Sequence, residues 1–305
     1  MWVTMGADGR LRDSRTLWHY RGFMCRSRRT HSRSLNCLTM GPMPSDSRSV
    51  AVVTGASGGI GLELSRLLAR DGHDLIIVAQ HAERLAQAAR ELRAHGVRVI
   101  EIAADLTDPA APPEIERELN RQGLTPDVLV NNAGFGLQGS FAKIDLGEQL
   151  RMIDLNVRAL THLTGLLLPG MLERRRGRVL NVASTAAFQP GPLMAVYYAT
   201  KAYVLSLSEA LANETGNSGV TVTALCPGPT ATAFQKRAGL EGTRLFHGGV
   251  MDAPAVARYG YDGMKRGARV VIPGWRNRLR AHLVRFAPRR MVIEAVRTLQ
   301  DRRAG

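Results

Sequence analysis

Three side chains whose types and spacing could support proton transfer lie in the second half of the chain. Tyr197 and Lys201 are four positions apart, and Ser184 lies thirteen residues before Tyr197. In a helix, residues four apart share one face, so a phenol and an ammonium would lie side by side. A fixed positive charge favours the phenolate and would lower the tyrosine pKa from its usual value of about 10. The spacing therefore predicts an acid/base catalyst, although without context such a pair is more often two surface neighbours.

The elements that must position these side chains alternate between apolar strands and amphipathic helices from Val50 onward. This alternation predicts an α/β fold: a single doubly wound Rossmann-type domain with a seven-stranded parallel sheet and helices on both faces. The predicted strands are 49–54, 74–79, 98–103, 127–131, 177–181, 220–226 and 268–272. The predicted helices are 60–71, 82–95, 111–122, 146–175, 197–215 and 254–266. The domain is expected to span 48–274, with a basic amphipathic helical tail at 275–305.

The composition describes a globular chain whose charge is concentrated at its two ends. Of the 305 residues, 45% are hydrophobic, which is enough for a substantial core. The formal net charge of +15 looks like a nucleic-acid signal. However, residues 1–48 carry nine arginines against three aspartates, and residues 265–303 carry twelve basic against two acidic side chains. The body between them is nearly neutral, so we expect no nucleic-acid partner.

The cysteines and the N-terminal segment bear on the compartment. Cys25, Cys37 and Cys226 cannot form a disulfide framework, and no cysteine or histidine has zinc-ligand spacing. We therefore expect a reducing, cytoplasmic environment and no metal site, with Cys226 a buried, inert thiol. Residues 1–47 lack hydrophobic periodicity and are predicted to be a disordered extension or a misassigned start. No apolar run reaches the length of a membrane helix.

A glycine-rich turn follows the first predicted strand and opens the first helix. Residues 54–61 read TGASGGIG. Glycines allow a tight turn and a close approach of backbone to a pyrophosphate, and a helix N-terminus offers free N–H groups and a positive dipole end. A glycine cluster alone is a weak signal. Between a buried strand and an amphipathic helix, it predicts a dinucleotide site.

Five ordered motifs resemble the short-chain dehydrogenase/reductase family over about residues 50–232. They are the glycine loop, Asp105 after the third strand, NNAG at 131–134, Asn156 in a helix, and PGPT at 227–230. The resemblance implies catalytic residues Ser184, Tyr197, Lys201 and Asn156. It implies a cofactor site formed by Tyr197 and Lys201 together with Gly55, Ser57, Gly59, Ile60, Gly61, Gln80, Asp105, Leu106, Asn132, Ala133, Gly134, Pro227, Gly228 and Thr230.

The same resemblance implies a role for each catalytic side chain. Tyr197 would protonate a carbonyl oxygen as hydride arrives from a nicotinamide, and would act as the base in the reverse direction. Lys201 would lower the tyrosine pKa and hydrogen-bond the ribose, while Ser184 would donate to the developing alkoxide. Asn156 would hold a water that links Lys201 to solvent. Tyr198 fits neither of the two family spacings and is expected to pack.

Two asparagines also have structural interpretations. Asn156 could merely cap or kink a helix, and Asn131 could merely bridge strands.

The residue that ends the second strand bears on cofactor choice, because a carboxylate there would repel a 2′-phosphate. Ala79 holds this position, followed by Gln80 and His81. The lack of an acid favours NADP. The cations that family members often use are replaced by Gly58 and Gln80, so NAD is a second candidate. Ser57 and His81 are the polar groups left to meet the phosphate, although His81 could simply be a solvated surface side chain.

The segments that build substrate pockets in this family are largely apolar in this chain. They supply Phe188, Pro190, Leu193, Met194, Phe234, Leu240, Leu245, Phe246 and Trp275. This set predicts a hydrophobic carbonyl or alcohol substrate. Lys236 and Arg237 could contact an acidic head group, such as that of an acyl carrier.

The tail and the long helices bear on partners. In the tail, Leu279, Leu283, Phe286, Met291, Ala295 and Leu299 recur at helical intervals between arginines. Such a helix can lie on an anionic membrane surface, but packing of the stripe on the domain or on a partner subunit is favoured. The helices at 150–172 and 197–215 match those that build family dimers and tetramers, so a homodimer or homotetramer is expected.

Two functions from different classes remain open. The leading hypothesis is an oxidoreductase that interconverts a carbonyl and an alcohol. The alternative is a non-catalytic NADP-binding regulatory protein of the same fold. Such binders usually lose the tyrosine or the lysine, whereas this chain keeps both.

Overall fold

Seven parallel strands form the central sheet of the structure, a computed structural model that describes residues 48–240, 243 and 249–301. The strands are β1 (Val50–Thr54), β2 (Asp74–Ala79), β3 (Val99–Ala103), β4 (Pro126–Asn131), β5 (Gly177–Val182), β6 (Val220–Leu225), β7 (Thr230–Ala231), β8 (Met251–Asp252) and β9 (Val270–Val271). The sheet order is β3-β2-β1-β4-β5-β6-β9, and β7 pairs with β8 separately. The predicted seven-stranded doubly wound sheet is confirmed. The β7–β8 pair was not predicted.

Helices cover both faces of the sheet. They are α1 (Gly59–Arg70), α2 (Ala82–Arg93), α3 (Ala111–Arg121), α4 (Leu146–Ile153), α5 (Leu160–Glu173), α6 (Ala195–Glu214), α7 (Ala233–Arg237), α8 (Ala253–Lys265), α9 (Trp275–Leu283) and α10 (Arg289–Gln300). Side chains that alternate along a strand enter different layers of core. Val53 packs with α1 and α8, whereas its neighbour Val52 packs with α3 and α5. Both valines are fully buried, which explains why these strands are continuously apolar.

The strand order reverses between β1 and β4, which lie side by side at the centre of the sheet. The segments that follow these two strands leave in different directions and open a crevice at the carboxyl edge. The glycine loop follows β1, the NNAG segment follows β4, and Ser184 follows β5. The topology therefore gathers the predicted motifs at one edge.

The long helix predicted over 146–175 is divided into three parts. A π-helical segment, Asp154–Ala159, lies between α4 and α5. Asp145 caps the start of α4 by accepting a hydrogen bond from the Glu148 N–H at 2.9 Å. Asn156 lies within the π-helical segment, and single π-helical turns inside longer helices are frequent at functional sites.

The C-terminal tail folds into two helices, α9 and α10, on either side of Pro288. Val292 and Val296 of α10 are buried among Met194, Tyr197 and Tyr198. Ala281 of α9 is buried against a second cluster. The tail is thus anchored beside α6, the helix that carries the predicted catalytic pair.

Candidate active site

The predicted catalytic side chains meet at the carboxyl end of β5. Ser184 leaves this strand, and its hydroxyl accepts a hydrogen bond from the Ala186 N–H at 3.1 Å. Tyr197 lies in the first turn of α6, and the nearby Ser184 hydroxyl acts to lower its pKa. Lys201 lies one turn later, with Nζ 5.9 Å from the centre of the Tyr197 ring. Ser184, Tyr197 and Lys201 therefore form one cluster.

The pKa of Tyr197 differs from the sequence-based expectation. Burial raises this pKa well above its usual range, and the hydrogen bond from Ser184 lowers it only in part. The expected lowering by Lys201 is wrong for the structure as it stands. Tyr197 is almost fully buried, and the Lys201 ammonium donates instead to the Val182 carbonyl at 2.8 Å. Desolvation of the phenolate is therefore the dominant effect on this pKa.

The Lys201 ammonium is desolvated by burial. Its side chain is 6% exposed, and burial lowers its pKa to about 8. The lysine therefore stays mostly charged at neutral pH while bearing a desolvation cost. Such a buried, perturbed group beside a cleft is typical of a functional site.

Asn156 connects the π-helical segment to the cluster. Its amide nitrogen donates to the Phe135 carbonyl at 2.9 Å and to the Thr200 hydroxyl at 3.1 Å, and its oxygen accepts from the Phe135 N–H at 3.1 Å. A Cβ on Gly134 would lie 2.9 Å from Asn156 Oδ1 and 3.5 Å from Lys201 Nζ. Asn156 and Lys201 therefore flank the same point of backbone, and only glycine fits between them.

The glycine loop is fastened to the segment after β4 by two side chains. Thr54 Oγ1 accepts from the N–H groups of Asn132 and Ala133, both at 3.0 Å. The Asn132 amide donates to the Thr54 carbonyl at 2.9 Å and to the Gly55 carbonyl at 3.2 Å. Gly55 has a φ of +67°, and a Cβ there would lie 2.7 Å from Asn132 Nδ2. The loop therefore needs glycine at this turn.

Asn131, by contrast, has a structural role. Its side chain donates to Asn181 of β5 at 2.9 Å and to Thr164 of α5 at 3.0 Å. The alternative that it bridges strands is therefore what the structure shows.

Polar side chains line the far end of the crevice, beyond the glycine loop. Gln80 donates to Asp105 Oδ2 at 3.1 Å. Burial raises the pKa of Asp105, but hydrogen bonds from Thr107 and the charge of Arg151 more than offset this, and the net shift is downward. Arg84, in the first turn of α2, also lines the crevice. Sequence reasoning missed Arg84 because it considered only the glycine loop and the end of β2.

The loop after β6 closes the other side of the crevice. The Pro227 carbonyl accepts from the Thr185 N–H at 2.8 Å, and the Thr230 hydroxyl donates to the Gly228 carbonyl at 2.9 Å. A Cβ on Gly228 would lie 2.5 Å from Asn277 of α9. The loop is therefore held between the cluster and the tail.

These segments enclose one continuous cleft of about 640 Å³. All of the predicted cofactor positions line it except Gly61, which is buried against Gly55 and Asn132. Of the predicted substrate residues, Met194, Phe234 and Leu240 line the cleft. Phe188, Pro190, Leu193 and Trp275 do not, and Trp275 is 70% exposed. Leu245 and Phe246, like residues 1–47, lie outside the described residues.

The tail contributes an unexpected part of the cleft wall. Gln300 of α10 is fully buried, and its amide nitrogen donates to the Tyr198 hydroxyl at 2.8 Å. Its backbone carbonyl accepts from Gln138 Nε2 at 3.1 Å. Tyr198 is packed as expected, at 6% exposure. The amphipathic pattern of the tail could have indicated a buried face, but not that a glutamine would occupy it.

The Cys226 thiol is not accessible for chemistry in the folded chain. Cys226 is fully buried, and burial raises the pKa of its thiol to about 12. Among residues 48–240, 243 and 249–301, no group of histidine, cysteine or acidic side chains could hold a metal ion. No helix in this part of the chain is long and apolar enough to cross a membrane.

The comparisons with known proteins point to one family. The family model described as short chain dehydrogenase matches residues 49–241. A Streptomyces violaceoruber protein, named as a ketoacyl reductase of the granaticin polyketide synthase, is 40% identical over 194 residues, or 62% of this chain and 71% of its own. A short-chain dehydrogenase from Sphingobium yanoikuyae in complex with NADPH is 33% identical with a TM-score of 0.71, covering 84% of this chain and 98% of its own.

A second solved structure is also similar to this chain in sequence and fold. The bulky-bulky ketone specific alcohol dehydrogenase from Comamonas testosteroni is 31% identical with a TM-score of 0.67, and the match covers 78% of this chain and 92% of that one.

Proposed function

Because the chain belongs to the short-chain dehydrogenase family, we propose that it is an NADP-linked oxidoreductase that interconverts a carbonyl and an alcohol on a hydrophobic substrate. The observation that carries this proposal is the cluster of Ser184, Tyr197 and Lys201 on the cleft wall. The cluster lies between the glycine loop and an apolar end of the cleft. A hydride donor and a carbonyl could therefore meet beside the phenol.

The residues present fit a nicotinamide dinucleotide. The glycine loop leaves room for a backbone approach, and the first N–H groups of α1 have no side-chain cap. Gln80, Asp105 and Leu106 would hold the adenosine end, and Pro227 to Thr230 would cover the nicotinamide end. When bound, the cofactor supplies or accepts the hydride.

The chain's own residues handle the proton. In the direction of reduction, the Tyr197 hydroxyl gives its proton to the carbonyl oxygen, and the Ser184 hydroxyl donates a hydrogen bond to the same oxygen. Lys201, whose Nζ lies 5.9 Å from the centre of the Tyr197 ring, would hydrogen-bond the ribose of the cofactor. Asn156 holds the Phe135 backbone and Thr200 of α6, and so fixes the segment that carries Lys201. We retain the proposal that Asn156 also links Lys201 to solvent.

The choice of NADP rests on charge at the end of β2. Ala79 leaves no carboxylate to repel a 2′-phosphate, and Arg84 adds a cation to the cleft wall near Gln80 and His81. NAD is the second candidate because Gly58 and Gln80 stand where family members often have cations. We expect Arg84→Ala to raise the KM for NADPH at least about tenfold and to leave the KM for NADH within about twofold, since a charged hydrogen bond contributes about 1.5 to 3 kcal/mol. Equal changes for both cofactors would refute the assignment of Arg84.

The substrate is proposed to be a hydrophobic ketone or an acyl-type carbonyl compound. Leu137, Met194, Phe234 and Leu240 make the inner end of the cleft apolar. The relatives support this class, since one is named as a ketoacyl reductase and another as specific for bulky ketones. Arg237 lines the cleft and could contact an acidic carrier, while Lys236 does not line it.

The decisive experiment measures NADPH oxidation with a panel of ketones, steroids, aldehydes and acyl thioesters. Tyr197→Phe should bind NADPH, measured by fluorescence, yet lose at least about 100-fold in kcat, because a general acid contributes about 10² to 10⁴. The control is Tyr203→Phe, an exposed tyrosine on the same helix. Retained turnover in Tyr197→Phe would refute its role. NADPH binding without turnover on any substrate would favour the non-catalytic regulatory alternative.

We also propose that the protein is a homodimer or homotetramer. Leu146, Leu150 and Ile153 of α4 and Tyr203 of α6 are large apolar side chains that remain exposed in the single chain. All but Leu146 lie within 150–172 and 197–215, the segments expected to build the assembly. Sedimentation velocity tests this, and a monomer at micromolar concentration would contradict it. The cytoplasmic location and the absence of a nucleic-acid partner stay predictions.

A further inference from the structure

The outer face of the tail carries a row of exposed apolar side chains. Trp275, Leu279, Leu283 and Phe286 follow one another at intervals of four, four and three residues, so they share one face of α9 and its extension. Their exposed fractions are 70%, 49%, 55% and 85%. We call these four residues the tail stripe. Met291 and Leu299 of α10 are also exposed, at 66% and 42%.

The tail stripe is exposed even though both helices are anchored. Ala281 of α9 and Val292 and Val296 of α10 are the residues that pack on the body of the protein. The expectation that the apolar side chains of the tail pack on their own domain is therefore wrong, because other side chains occupy the inward faces. Packing on a partner subunit stays a prediction. Water-exposed apolar side chains in a contiguous row mark a binding surface more often than a plain surface.

Arginines lie between and after the stripe residues along the chain, and they have no acidic partners in the part of the chain that the structure describes. Between Trp275 and Gln300 there are seven arginines and a single acid, Glu294. Within the described residues, no ion pair joins any of these arginines to a carboxylate. Arg276 lies over the Trp275 ring, 5.4 Å from its centre. The tail therefore combines an exposed apolar row with a strong net positive charge.

We propose that the tail stripe binds the surface of an anionic lipid bilayer. Apolar side chains enter the boundary between head groups and acyl chains, while flanking arginines contact the anionic head groups. A second copy of the chain fits this surface less well, because two such faces would bring six net positive charges of each copy together. The protein would lie on the membrane without crossing it.

The test is flotation of the full chain with vesicles of phosphatidylcholine, either pure or containing phosphatidylglycerol. We expect at least about tenfold tighter binding to the anionic vesicles, with a marked loss in high salt because the charges are screened. Arg289→Gln/Arg290→Gln should weaken binding on the order of 25-fold, since each arginine near an anionic surface contributes about 1 kcal/mol, or about fivefold. Leu283→Ser/Phe286→Ser should remove most of the binding.

The matched control is Tyr259→Ser, which alters an exposed apolar residue on α8, away from the tail. Its binding should equal that of the wild type. Residues 1–48 are also basic and could themselves bind anionic vesicles. The proposal therefore requires that the tail variants lose vesicle binding. Equal binding to both vesicle types, or unchanged binding of Leu283→Ser/Phe286→Ser, would overturn the proposal. The proposal would also be overturned if light scattering without lipid gave a lower molar mass for Leu283→Ser/Phe286→Ser than for the wild type. The stripe would then be a contact between copies of the chain.

Discussion

Replacing Lys201 by methionine should stabilise the folded chain at neutral pH while abolishing turnover. Burial lowers the pKa of this lysine from its ordinary 10.5 to about 8. Each pKa unit corresponds to about 1.4 kcal/mol, so the charged lysine costs about 3 kcal/mol relative to the unfolded chain. Methionine removes this cost but leaves the Val182 carbonyl without its donor, a loss of about 1 to 2 kcal/mol. The net gain at pH 7 should be about 1 to 2 kcal/mol.

The pH dependence gives the sharper test. Between about pH 8 and 10.5 the unfolded chain binds one more proton at this lysine than the folded chain, so wild-type stability rises with pH in that window. Below about pH 8 the cost is fully present. The methionine variant has no such group, so its advantage over the wild type should shrink by about 2 kcal/mol between pH 7 and 9.5.

Urea denaturation of both proteins at the two pH values measures this difference. Lys143→Met, at an exposed position before α4, is the control and should change stability by less than about 0.5 kcal/mol. A Lys201→Met advantage that does not change with pH would show that this lysine is not a desolvated cation in the folded chain. A catalytically useful charge kept at the expense of stability is a familiar feature of active sites.

Three further outcomes follow from buried contacts. Tyr198→Phe should lower the free energy of unfolding by about 1 to 3 kcal/mol, because it leaves the buried Gln300 amide without a partner. The double variant Tyr198→Phe/Gln300→Leu should be less destabilised than the sum of the two single variants, as measured by a double-mutant cycle in urea. Cys226 should resist iodoacetamide in the folded protein and react only after denaturation, as read by mass spectrometry; labelling without unfolding would contradict its burial. Gly134→Ala should lower kcat at least about tenfold, because a methyl group would displace Asn156, and near-normal turnover would show that this approach is not needed.

Local sequence signals were sufficient for the parallel sheet and the position of the motifs. Strands buried on both faces are continuously apolar, and each predicted strand overlaps an observed one. The glycine loop, the asparagine segment and Ser184 each follow a strand, so the sheet alone gathers them at its carboxyl edge. Their meeting in one cleft was therefore predictable without side-chain detail.

Features that depend on tertiary contacts were not predictable. The sequence of 146–175 has uniform helical periodicity and gives no sign of the π-helical turn at Asn156. The hydrogen bonds from the Asn156 side chain to Phe135 and Thr200 are tertiary contacts that only the structure shows. The pKa of Tyr197 depends on how deeply the ring is buried, which spacing cannot reveal. In the tail, the periodicity of the sequence predicted an apolar stripe, but the side chains that pack inward are Ala281, Val292 and Val296.

The attachment of Gln300 to Tyr198 has a consequence for how the protein matures during synthesis. The glycine loop and the other segments predicted to hold a dinucleotide are translated early, whereas the cleft wall beside Tyr198 includes Gln300, which is translated about a hundred residues later. A nascent chain could therefore acquire affinity for its cofactor well before it can shape a binding pocket for the second reactant. Chains that end before α10 would lack this part of the cleft wall.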